Sequence, residues 1–146
     1  MWQTDQHLCV VLVHKQAQLP VRKHAYDAAL DLFAPEGGII LPGERLQLKL
    51  GICIQVPVGT FGWIQGRSSL AIKHGITTIG NIIDAGYTGE ISAILVNHGK
   101  DVFGFNRGDR IAQLLIIPYL QPVVEVVTEI FPRDERQEGG IGSTGK

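Results

Sequence analysis

Eighteen glycines and seven prolines cut the 146-residue chain into segments of four to nine residues, most of them rich in Val, Ile and Leu. A chain punctuated so often has little room for long helices, whereas short β-branched runs between turn residues read as strands. The candidates are Leu8–Val13, Arg45–Val56 with the alternation Leu46, Leu48, Leu50, then Gly62–Gln65, Glu90–Asn97, Arg110–Pro118 and Val123–Ile130. Strands spaced in this way predict an all-β sandwich or barrel. One stretch disagrees: Val21–Ala34 lies between Pro20 and Pro35, and Tyr26, Ala29, Leu30 and Phe33 fall on one helical face. Periodicity alone predicts a helix there.

The length suits one domain, and a fold of this size buries roughly 68–70% of the surface its unfolded chain exposes. A net charge of -1 supplies no basic field for duplex DNA or anionic lipid, so nucleic acid and membrane are not expected partners, and any phosphate must be held locally. Cys9 and Cys53 stand far apart without a CxxC pair, which predicts neither a disulfide framework nor a structural zinc. His7, His14, His24, His74 and His98 show no ligand spacing. The apolar runs are short and MWQTDQH lacks the pattern of a signal peptide, so the expectation is a soluble intracellular protein. From Arg133 onward the sequence turns polar and glycine-rich, and positions 133–146 are expected to form an arm attached to a single domain, 1–132.

That arm contains Gly140 to Lys146, which spells GxxxxGK, most of a Walker-type phosphate loop. The context is wrong, since no strand pattern precedes it and no helix pattern follows it. What the arm offers is unobstructed backbone N–H groups, the hydroxyls of Ser143 and Thr144 and the guanidinium of Arg136, all suited to a polyphosphate, although the same composition also describes a linker. Gly66-Arg67-Ser68-Ser69-Leu70-Ala71 either caps a helical turn or cradles a phosphate. Gly80 to Glu90, GNIIDAGYTGE, reads as a hairpin. There Asp84 is either a turn residue or a base for water, and Tyr87 could form the floor under a sugar. Asp31 in AALDLFAPEG and Gln113 in GDRIAQL have plain readings as polar positions, and simple alternation puts Arg110, Ala112 and Leu114 on one strand face with Ile111 and Gln113 on the other.

Taken in order, AALDLFAPEG, GRSSLA, GNIIDAGYTGEI, GDRIAQL and GGIGSTG resemble the five ordered motifs of the trimeric dUTPase family, and together they span positions 28–145. The resemblance implies a jelly-roll-like β subunit, a homotrimer with shared active sites, and hydrolysis of dUTP to dUMP and diphosphate with Mg²⁺. It also overrides the helix at Val21–Ala34. By the same resemblance Asp84 is the general base, Asn81, Ile83, Tyr87 and Ile141 hold base and sugar, and Tyr87 packs on deoxyribose. Arg67, Ser68, Ser69, Gln113, Arg136, Ser143 and Thr144 engage the phosphates. Asp31 is associated with the magnesium ion through water, the arm closes over a neighbouring site, and Arg110 is structural.

Three positions depart from the family pattern. Ile141 stands where an aromatic ring normally stacks on the base, Leu30 replaces a usual tyrosine, and Gly66-Arg67-Ser68-Ser69 replaces PRSG. GRSSL is also similar to dCTP deaminases of the same fold, but those carry a catalytic glutamate where this chain has Ile94, which cannot shuttle protons. A non-catalytic module of the same fold is the remaining alternative, set against polar positions that are all still filled.

Overall fold

A computed structural model of the chain describes residues 6–131 and 133. Ten strands and one short helix follow one another: β1 Cys9–Leu12, β2 Leu30–Phe33, β3 Gly38–Ile40, β4 Arg45–Gln55, β5 Thr60–Gln65, α1 Ser68–His74, β6 Ile76–Ile79, β7 Ile82–Ile83, β8 Glu90–Asn97, β9 Phe103–Phe105 and β10 Arg110–Pro118. Two four-stranded sheets, ordered β1-β4-β8-β6 and β2-β10-β5-β7, are joined by the small β3-β9 ribbon. Every pairing is antiparallel. The sheets stay open at their edges, which makes the fold a jelly-roll-like sandwich rather than a closed barrel.

Alternation builds the core. In β8, Ile91, Ala93 and Leu95 are buried while Ser92, Ile94 and Val96 are only partly covered. In β4, Leu48, Leu50, Ile52 and Ile54 meet them, and Ile64, Ile111, Ala112 and Leu114 of the second sheet complete the same cluster. Between Lys49 and Cys53 the β4 strand advances four residues while β8 goes only from Ser92 to Glu90. Two extra residues preserve the parity, so the even-numbered apolar positions remain inside.

Val21–Ala34 is not helical. Val21 and Asp31 exchange two backbone hydrogen bonds of 2.8 and 3.2 Å, and β2 pairs with β10, so ladder bonding outweighs the local 3.6-residue period. The helix is instead α1, only seven residues long. Arg67 is its N-cap in extended conformation without a side-chain capping bond, and Gly75 ends it at φ 70°. Neither Ser68 nor Ser69 therefore serves as the cap that their type suggested. Val123–Ile130 forms no strand: Val123, Val124, Val126 and Ile130 are each at least 85% exposed. β-branched content makes a strand only beside a partner edge, and none faces this segment among the described residues.

Candidate active site

Gln113 lies in β10 opposite both Asp31 of β2 and Gln65 of β5. Its amide Nε2 donates to the Gly66 carbonyl at 2.8 Å and so ties the strand to the loop entering α1. Between Arg110 and Ala112 the register slips: β10 advances two residues while β2 moves from Phe33 to Leu32. This one-residue bulge at Ile111 overturns the expected alternation. Ile111 turns inward with Ala112, and Arg110 comes round to the face that carries Gln113.

The consequence is a charged knot. Arg110 Nε lies 3.0 Å from Asp31 Oδ2, Arg67 Nε lies 3.7 Å from Asp31 Oδ1, and the Asp31 side chain is only 15% exposed. Arg67 Nη1 also donates to the Arg110 carbonyl at 2.9 Å, and the Arg110 guanidinium lies over the Phe33 ring at 5.9 Å. Arg110 Nε makes no aligned hydrogen bond despite its short distance from Asp31, so we treat that contact as a Coulombic pair. Motif residues distant in sequence thus converge on one carboxylate. Ser68 and Ser69 are exposed in the first turn of α1, beside Arg67. That turn presents backbone N–H groups that lack intrahelical partners.

The hairpin after β6 forms the second region. Its Asn81 carbonyl accepts from Ile64 N–H at 2.9 Å, and β7 pairs with β5 through Gly62 with Ile83 and Trp63 with Ile82. Ile83 is buried in the core, while Ile82 and Asp84 are exposed. Asn81 Oδ1 is buried and finds no hydrogen-bond partner among the described residues, where such atoms are normally paired. Tyr87 N–H donates to the Asp84 carbonyl at 3.0 Å and closes the turn. Gly80, Ile82, Asp84, Tyr87, Ser92 and Ile94 line one groove. Ile94 therefore places hydrocarbon where a deaminase would need an acid.

Asp84 also borders a second depression with Phe61, Tyr119 and Gln121, residues outside all five motifs. Phe61 and Tyr119 meet edge to face at 6.1 Å, and Gln121 Nε2 donates to the Tyr119 hydroxyl at 3.0 Å. Only the β5–β10 register brings these together, and a linear sequence does not print a register. Among the described residues no cluster of three or more His, Cys, Asp or Glu could hold a metal by itself. Arg136, Ile141, Ser143 and Thr144 lie outside the described residues.

A family model described as dUTPase matches residues 15–145. The chain belongs to the dUTPase family. The deoxyuridine 5′-triphosphate nucleotidohydrolase of Clostridium tetani is 41% identical over 145 residues, covering 98% of this chain and 99% of that protein. That of Kluyveromyces lactis is 40% identical over 139 residues, with 95% and 94% covered. Among solved structures, a dUTPase variant of Staphylococcus bacteriophage 80alpha with dUpNHpp superposes with a TM-score of 0.90 at 28% identity, covering 96% and 99% of the two chains. A dUTPase variant from phage phi11 of S. aureus, whose structure concerns coordination of a structural Mg(II) ion, gives 0.80 at 27% identity over 85% and 98%. No helix among the described residues is long and apolar enough to cross a membrane.

Proposed function

We propose that this dUTPase-family chain hydrolyses dUTP to dUMP and diphosphate. The observation that carries the reading is the convergence of Arg67, Gln113 and Asp31 at one end of the β2-β10-β5-β7 sheet, where family motifs far apart in sequence meet. Arg67, Ser68 and the Ser69 backbone, with Gln113, hold the phosphates by charge-assisted bonds. Arg136, Ser143 and Thr144 of the arm cover the distal phosphates, and Ile141 covers the base. Asp84 orients a water and takes its proton as the oxygen attacks the α-phosphorus, and diphosphate leaves in line.

In the hairpin, backbone groups at Asn81 and Ile83 bind the polar edge of uracil, and a tight hairpin there disfavours a 5-methyl group. Tyr87 packs against deoxyribose and disfavours a 2′-hydroxyl. Asp31, with both oxygens facing guanidinium groups, would hold Mg²⁺ only through water, leaving the phosphates as the ion's chief ligands. Such an ion neutralises charge developing on the phosphates when bound.

The same geometry favours shared sites in a homotrimer. Asp84 follows Ile83, the partner of Gly62, whereas Gln113 pairs with Gln65 and binds Gly66. The two groups lie near opposite ends of β5, about 13 Å apart along the strand at about 3.3 Å per strand residue. A second copy supplying Asp84 beside the Arg67 cluster resolves the separation, and positions 133–146 act as a covering arm on the domain spanning 1–132.

The test is purified protein with Mg²⁺ and dUTP, dCTP, dTTP or UTP, products separated by chromatography. Conversion of dUTP alone to dUMP and diphosphate is expected. Release of a deaminated product from dCTP, or no turnover of any nucleotide, would overturn the reading.

A further inference from the structure

Glu90, the first residue of β8, directly follows the hairpin that carries Asp84 and Tyr87. Its carboxylate Oε1 accepts the N–H of Gly51 at 3.1 Å, while Oε2 lies 3.5 Å from Lys49 Nζ. Lys49 is 71% exposed, so that ion pair contributes little, and the bond to the backbone is the contact of consequence. Gly51 lies in the β4 bulge at φ 71°, and a Cβ there would come within 2.7 Å of His14 Cβ and 2.8 Å of Ala17 Cβ. Val13 N–H donates to the Gly51 carbonyl at 2.8 Å. The bulge is thus held on both sides, by the Val13–Ala17 segment and by Glu90.

From the same residue a second bond runs to the hairpin tip. The Tyr87 hydroxyl donates to the Glu90 carbonyl at 3.0 Å, and the ring lies across Gly89, where a Cβ would meet the phenol oxygen at 2.6 Å. The phenol is therefore fixed at its far end as well as through its backbone. We propose that Glu90 is a positioning residue for nucleotide selection: its carboxylate latches the hairpin base to the Gly51 bulge, and its carbonyl holds the Tyr87 ring where it meets the sugar. The role rests on Tyr87 being the deoxyribose platform. Glu90 acts through Tyr87 and exchanges no proton with substrate.

The experiment measures kcat and KM for dUTP and UTP, with Mg²⁺, in Glu90→Ala, Glu90→Gln, Tyr87→Phe and Tyr87→Ala, alongside Tm. Glu90→Ala is expected to lower the preference for dUTP over UTP about tenfold through KM, with kcat within about twofold of the parent. Glu90→Gln keeps an acceptor for Gly51 N–H and restores the preference, and Tyr87→Phe, which keeps the ring but cuts its tether, loses part of it. An unchanged preference in Glu90→Ala, or equal losses in Ala and Gln, overturns the latch. Should Glu90→Ala fail to fold, an undiminished preference in Tyr87→Phe overturns it equally. Full discrimination in Tyr87→Ala would instead remove the sugar platform itself, a different failure from that of the latch.

Discussion

Replacing Asp31 by Ala removes the carboxylate that, among the described residues, pairs with both Arg67 and Arg110. Exposed ion pairs contribute about 0–1 kcal/mol, and orphaning a fully buried partner costs about 3–5 kcal/mol. Asp31 is 15% exposed, but Arg110 is 39% exposed and Arg67 29%, so water screens the cations left behind. The expected destabilisation lies between the limits, at about 2 kcal/mol. For a domain of this size that corresponds to a fall in Tm of about 4–8 °C. Because Arg67 loses one of its two anchors, kcat/KM for dUTP is expected to fall at least about tenfold as well, or about 1.4 kcal/mol. Thermal unfolding of the Asp31→Ala and Arg110→Ala single variants and of the double variant supplies the coupling, expected at about 1–2 kcal/mol. Additive losses, with Tm in Asp31→Ala within about 1 °C of the parent, would refute the claim that the knot holds this end of the sheet together.

Asp84→Asn is expected to abolish dUTP hydrolysis while calorimetric binding of dUTP persists, and a variant retaining full activity would remove Asp84 as the base. Deleting Arg136–Lys146 is expected to lower kcat strongly with Tm nearly unchanged, since every buried apolar residue among those described lies between Leu32 and Leu114; an unaltered rate would end the proposed role of the arm. Ile141→Phe adds a ring able to stack on a base, an effect of about 1–3 kcal/mol, so KM for dUTP should fall about tenfold, and a KM that stays level or rises argues against Ile141 covering the base.

Where residue patterning coincides with the tertiary pairing, the sequence is a good guide. The strands expected at Glu90–Asn97 and Arg110–Pro118 match β8 and β10, and β4 ends within a residue of its predicted limit. β2, β3 and β9 have three or four residues each, too few to establish a period against neighbouring turns. Val21–Ala34 imitates a helix because Tyr26, Ala29, Leu30 and Phe33 happen to fall 3.6-fold, yet Tyr26 ends fully exposed. The motifs announced Asp31, Arg67 and Gln113 but not their bond pattern. Arg110 joins them only because the bulge at Ile111 turns the strand, and a single extra residue in a ladder leaves no mark on composition. Phe61, Tyr119 and Gln121 reach Asp84 through pairings that no linear motif encodes.

The length of β5 has a consequence for inheritance. Asp84 lies level with Phe61 near one end of that strand and Arg67 follows the other, so under the proposed sharing of sites one copy would carry two halves that complete different sites. When such copies assemble, a lesion at Asp84 in one and a lesion at Arg67 in another leave some junctions where both intact halves meet, roughly one in four if copies mix at random. Two defective alleles can then complement each other in the same cell, whereas both lesions placed in one copy cannot.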